Sequence, residues 1–129
     1  MLLLLIAAFV VAVDQFTKYL VTSNMSEGMG IPIIDGIFHL TFILNPGAAF
    51  GILENNRWFF VVTALSVLIF LFYYRRAIMA ESKLVQMGIA LFAGGALGNL
   101  IDRIRTGLVI DFFDFRIWPI FNVADIAIC

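Results

Sequence analysis

The sequence predicts an all-α polytopic membrane protein with four transmembrane helices, the fourth incomplete, and a small sheet outside the bilayer, all within one domain spanning residues 1–129. Three observations lead there. Of the 129 residues, 63% are hydrophobic and 13% charged, outside the range of ordinary soluble domains. Apolar runs long enough to cross a hydrocarbon core alternate with shorter polar stretches. Some charged residues, notably Asp14, Lys18, Asp111 and Asp125, fall inside apolar surroundings, where a carboxylate must be paired, hydrogen-bonded, protonated or kept near trapped water. The formal net charge of -1, with scattered Lys and Arg, excludes a phosphate-tracking nucleic-acid surface. Cys129 is the sole cysteine, so an intrachain disulfide is excluded.

The first span covers about residues 2–21 and lacks a basic region ahead of its apolar run, so it reads as a retained helix rather than a cleaved signal peptide. Asp14 and Lys18 are four apart and share a helical face, where they can pair. Lys18 is expected to snorkel to the interface as half of an ion pair. Asp14, with a shorter reach, is expected to face a polar cavity or another part of the protein.

Residues 22–57 form an excursion rich in polar residues and glycine. From 36 to 44 the chain alternates, with Phe38, Leu40, Phe42 and Leu44 on one side, which is strand periodicity and suits a small sheet at the membrane surface. His39 is the only histidine and reads as an ordinary packing or surface residue; zinc chemistry is not expected. The run Asn45-Pro46-Gly47-Ala48-Ala49-Phe50-Gly51 combines a turn with small residues. It is either a binding surface or a tight turn into a short interfacial helix.

The second span, about 58–74, is flanked by aromatic residues at both ends and stopped by Arg75 and Arg76. With Lys83 these make a basic loop at about 75–83 that the positive-inside rule assigns to the cytoplasm, leaving both excursions outside. The third span, about 84–101, carries Gly94, Gly95 and Gly98, which permit close helix contact. Asn99 and Arg103 share a face at its outer end. Arg103 either holds a carboxylate or lipid phosphate in fork geometry or anchors at the interface paired with Asp102.

An outer loop, about 102–119, contains an extended segment around Asp111, and Pro119 delays a fourth helix until about 120–129. On that helix Asn122 and Asp125 share a face. Asp114 is expected to be interfacial or solvated. The sequence stops at Cys129 inside an apolar segment, which predicts that the native chain continues and that this is a C-terminally shortened copy.

The residues permit no Ser-His-Asp or Cys-His arrangement, no metal cluster and no phosphate loop. Paired carboxylates remain. Two neighbouring aspartates share a proton, so that one can activate water while the other polarises a carbonyl. The same residues suit a proton or ion relay, or polar contacts that merely hold helices together.

Five blocks in order resemble the bacterial lipoprotein signal peptidase family, signal peptidase II: Asp14 with Lys18; the Asn45–Gly51 run; Gly94-Gly95-Ala96-Leu97-Gly98-Asn99-Leu100-Ile101-Asp102-Arg103; Val109-Ile110-Asp111-Phe112; and Phe121-Asn122-Val123-Ala124-Asp125. The resemblance implies a multi-pass aspartyl endopeptidase of the bacterial cytoplasmic (inner) membrane with four helices, an outer β-cradle at about 22–57 and its active site on the extracytoplasmic face. It implies cleavage of prolipoproteins on the N-terminal side of a diacylglyceryl-modified cysteine. Asp111 and Asp125 match the catalytic pair; Asp14, Asn45, Asn99, Arg103 and Asn122 match the polar residues that surround the pair and contact substrate or inhibitor. No metal or cofactor is implied. The implied partners are the lipid-modified precursor, membrane lipids and globomycin-type inhibitors, with the chain a monomer. The lipid of the substrate is expected to lie sideways in the bilayer, and its signal helix to pack on the Gly-rich third helix.

Overall fold

A computed structural model describes residues 1–48 and 52–129; Ala49, Phe50 and Gly51 of the small-residue run lie outside the described residues. The chain is mostly helical, with a three-stranded antiparallel sheet of order β1-β2-β3. In sequence order the elements are α1 (Leu2–Asn24), β1 (Gly30–Ile34), β2 (Phe38–Asn45), α2 (Arg57–Tyr73), α3 (Arg75–Ala80), α4 (Lys83–Arg105), β3 (Val109–Asp114) and α5 (Val123–Ile128).

Among the described residues α1 and α4, of 23 residues each, are long and apolar enough to cross a membrane. Their outward faces bear this out: Leu4, Leu5, Phe9 and Phe16 of α1 stand exposed, a surface that suits lipid better than water. The other two expected spans are shorter: α2 is an apolar helix of 17 residues and α5 is six residues long. The basic connection contains a helical turn, α3, where a loop was expected.

α4 runs four residues beyond the expected end at 101, so Asp102 and Arg103 belong to its last turn rather than to a loop. Nothing in Ile101–Arg105 interrupts helical bonding. The helix stops at Thr106, and Gly107 follows at φ +84°, a left-handed conformation that glycine adopts without a Cβ penalty.

The alternation from 36 to 44 becomes β2, whose partner β1 is joined to it through Gly36 at φ +71°. β3 pairs antiparallel with the other edge of β2, setting Asp111 opposite Ile43 and Val109 opposite Asn45. Where the end of α1 meets this sheet, Val21, Phe42 and Phe112 form a small buried core. That core fixes β3 against the end of α1, and Asp111 is carried on β3.

Glycines of α4 explain how closely the helices meet. A Cβ added at Gly94 would lie 2.8 Å from the Ala7 carbonyl oxygen, and one at Gly98 would lie 2.6 Å from Asp14 Oδ2. A Cβ at Gly95 would meet the backbone of Ala124 and the side chain of Ile128. The glycine face is therefore filled by α1 and α5 of the same chain.

Candidate active site

β3 is buried at Val109, Asp111, Phe112 and Asp114, and Asp111 is 2% exposed. Both its oxygens accept from carboxamides. Asn122 Nδ2 donates to Oδ1 at 2.7 Å and Asn45 Nδ2 donates to Oδ2 at 3.0 Å. Asn45 is held for this by its own turn, since Gly47 N donates to Asn45 Oδ1 at 2.9 Å and leaves the NH₂ facing Asp111.

Asp125 is positioned by the start of α5. Asn122 caps that helix, and the two residues exchange bonds in a capping box: Asp125 N donates to Asn122 Oδ1 at 3.0 Å, and Asn122 N donates to Asp125 Oδ2 at 3.1 Å. The other oxygen of Asp125 accepts from Asn99 Nδ2 of α4 at 2.8 Å. Asp111 and Asp125 both line one cavity of about 430 Å³, together with Asn45, Asn99 and Arg103. Its remaining wall is apolar, with Phe60 and Val67 from α2, Phe92 from α4 and Ile120 among the lining residues.

The electrostatics of Asp111 are set by its surroundings. Burial, and then the neighbouring charge of Asp125, push Asp111 up to about 7, against the opposing effect of the Asn45 and Asn122 donors. Near neutral pH Asp111 is therefore poised between acid and carboxylate.

Arg103 reaches into the cavity from α4. Its Nη2 donates to the Gly47 carbonyl at 3.2 Å, and its guanidinium lies 4.6 Å from the centroid of the Phe60 ring. Asp102 instead turns to the other side of α4, where its Oδ2 pairs with Lys18, so among the described residues the Arg103–Asp102 anchor is not formed. Of the five residues expected to surround the pair and contact substrate, Asn45, Asn99 and Arg103 line the cavity. Asp14 and Asn122 do not: both are fully buried. Asp14 Oδ1 accepts from Ala124 N at 2.9 Å, and Asn122 reaches Asn99 Oδ1, the Ile110 carbonyl and Asp111. Their polar atoms are engaged by the protein itself.

Two further expectations are corrected. Lys18 does not snorkel: at 2% exposure it points inward, with Nζ 2.8 Å from Asp14 Oδ2 and 2.8 Å from Asp102 Oδ2. The two carboxylates make the inward position less costly than the solvent-ward one that its long stem would otherwise favour. Asp114 is buried rather than solvated, accepting from Thr41 Oγ1 at 2.7 Å and from both the backbone and guanidinium of Arg116. Sequence reasoning missed Asp102 and Gln15, whose Nε2 donates to Asp102 Oδ1 at 3.0 Å and to Asp14 Oδ2 at 3.1 Å. The available signal was spacing, because Asp102 falls one turn after Gly98, the glycine against which Asp14 packs.

Comparisons with known proteins agree with this arrangement. The family described as Signal peptidase (SPase) II matches residues 6–129. A lipoprotein signal peptidase of Moorella thermoacetica is 50% identical over 126 residues, covering 97% of this chain and 83% of that protein. One from Pelotomaculum thermopropionicum is 47% identical over 130 residues, covering 99% and 84%. A solved bacterial membrane enzyme superposes with a TM-score of 0.85 at 39% identity, over 98% of this chain and 79% of that one. A second gives 0.81 at 39% identity, over 98% and 84%. Sequence, fold and site together establish that the chain belongs to the signal peptidase II family of membrane proteases.

Proposed function

We propose that this chain is an aspartyl endopeptidase of the bacterial cytoplasmic membrane that removes signal peptides from prolipoproteins, cutting on the N-terminal side of a diacylglyceryl-modified cysteine. The observation that carries the reading is that Asp111 and Asp125 face one cavity with each carboxylate oxygen held by an amide donor. Held in this way, one carboxylate takes a proton from a water that attacks the scissile carbonyl, while the protonated partner donates its proton to the carbonyl oxygen. As the resulting gem-diol collapses, the partner takes a proton back from its hydroxyl and the first aspartate passes the water-derived proton to the leaving amine. The acid and base roles belong to the pair rather than to either aspartate.

The other lining residues act on binding. Asn45 and Arg103 offer donors to substrate backbone carbonyls, and Arg103 is kept extended by Gly47 and Phe60. The apolar wall from α2 and α4 accepts acyl chains directly from the bilayer, which avoids exposing them to water at about 0.8 kcal/mol per CH₂. On this reading α1, α2, α4 and α5 belong to the four membrane helices, and the sheet lies on the extracytoplasmic face. Globomycin-type cyclic peptides would occupy the same cavity, and the protein works as a monomer.

The test is cleavage of a purified diacylglyceryl-modified precursor by Asp111→Asn and Asp125→Asn, each with its thermal midpoint recorded. Each variant is expected to lose about 1000-fold or more in rate while staying folded. A normal rate in either one would refute the dyad. Carboxylate-dependent ion flux without proteolysis would point instead to a relay.

A further inference from the structure

The ammonium of Lys18 has three hydrogens and three acceptors: Asp14 Oδ2 at 2.8 Å, Asp102 Oδ2 at 2.8 Å and Asn99 Oδ1 at 3.0 Å. A lysine so enclosed has no lone pair or free donor to offer a substrate, which excludes it as nucleophile or base. Its third bond has a directional consequence. An ammonium only donates, so the atom of Asn99 that faces Lys18 must be the carboxamide oxygen. The NH₂ group is thereby turned the opposite way, toward Asp125 Oδ1 at 2.8 Å. Asn122 reinforces the same choice, because its Nδ2 also donates to Asn99 Oδ1, at 3.0 Å. Were Asn99 flipped, two donors would meet its NH₂ and a carboxylate would meet its oxygen, an arrangement with three mismatched pairs in a dry interior.

We propose that Lys18 is a positioning residue for the carboxylate pair: anchored by Asp14 and Asp102, it fixes the orientation of the Asn99 carboxamide and through it the donor on Asp125. The inference rests on the aspartyl reading above. It extends that reading across α4, because Lys18 lies on α1 and is absent from the residues lining the reaction cavity. The chain of contacts runs from Lys18 to Asn99 to Asp125. A branch runs from Asn99 Oδ1 through Asn122 to Asp111 Oδ1 at 2.7 Å. One buried cation thus orients an amide on each carboxylate while remaining outside the cavity.

Replacing Lys18 alone would leave two buried carboxylates unpaired, so the test uses the charge-balanced Lys18→Met/Asp102→Asn variant, with Lys18→Met/Asp14→Asn as a second. Both preserve the formal charge of the Lys18, Asp14 and Asp102 group. For a folded variant we expect kcat on the lipid-modified precursor to fall by about 30-fold or more, with KM changed less than about twofold. Adding Asn99→Ala to that variant is expected to cost less than about threefold more, since both changes cut the same chain of bonds. A structural lysine would behave differently, lowering the thermal midpoint while leaving kcat near native, and that result would overturn the proposal. Costs that multiply fully would overturn it too. Asn99→Ala alone, in which Lys18 keeps both carboxylates, supplies a test that needs no Lys18 variant to fold: native kcat there would also end the proposal. Failure of the aspartyl reading is distinguishable, because it appears as full activity in Asp111→Asn.

Discussion

Asn122 and Asp125 hold each other by reciprocal bonds, side chain to backbone in both directions, at 3.0 and 3.1 Å. A motif that ordinarily starts a helix therefore also aims a carboxylate into the cavity, and one Asn122 atom group further reaches Asp111 at 2.7 Å. Helix initiation and the proposed chemistry share the same atoms.

Asn122→Ala is accordingly expected to act twice. Loss of the cap should lower stability by about 1–2 kcal/mol. Loss of the donor on Asp111 and of the aim of Asp125 should lower cleavage by about 100-fold or more. Thermal denaturation in detergent and precursor cleavage, measured on the same sample, separate the two effects. A rate loss no larger than the unfolded fraction accounts for would count against the link.

The proton on Asp111 gives a pH dependence with a definite sign. Its folded value, about 7, lies above the ordinary 3.8, so the fold favours the protonated form. The associated stability is fully present below the ordinary value and is lost as pH rises through about 7. Thermal midpoints should therefore fall as pH is raised from about 4 to about 7 and level off above that, and Asp111→Asn should remove that part of the fall. Cleavage by the native protein should show an alkaline limb in kcat/KM near neutrality.

Gly98 and Gly88 lie on the same helix and predict opposite outcomes. A Cβ at Gly98 would sit 2.6 Å from Asp14 Oδ2 and 3.3 Å from Ala124 Cβ, whereas at Gly88 it would meet nothing within 4 Å. Gly98→Ala should destabilise by about 1–3 kcal/mol and reduce cleavage, since Asp14 anchors both Lys18 and α5. Gly88→Ala should be neutral or stabilising by up to about 1 kcal/mol. Equal effects in thermal denaturation would show that the tight approach of α1 and α5 is not what Gly98 serves.

Asp114 tests whether buried aspartates on β3 are interchangeable. It secures Thr41 on β2 and the left-handed Arg116 at φ +67°, away from the cavity. Asp114→Asn should cost about 1–2 kcal/mol of stability while the cleavage rate of folded protein stays within about threefold of native. A loss as large as that of Asp111→Asn would place Asp114 in the chemistry.

The membrane character, the long first and third spans, the strand at β2 and the two aspartates in apolar surroundings were legible in the sequence, because periodicity and the cost of buried charge are local properties. Asn122 with Asp125 was legible as well, since a three-residue spacing at a helix start is a local pattern. What escaped was the set of partners. Lys18 has the stem of a snorkelling residue, and only the approach of α4 at Gly98 supplies the second carboxylate that draws it inward. Asp102 looked like the neighbour of Arg103, yet adjacent residues on a helix point about 100° apart and these two serve opposite sides of α4. Asp114 looked solvated because its acceptor role depends on Thr41, which is brought beside it only by the β2–β3 register.

The bond from Ala124 N to Asp14 Oδ1 joins positions 110 residues apart. A chain leaving the ribosome delivers Asp14, Asn45, Asn99 and Asp111 well before Asp125 is synthesised. Until then the cavity has one carboxylate and α1 lacks its last partner. On the proposed reading, proteolytic capacity is acquired in a single late event, after α1, α2 and α4 are already laid down.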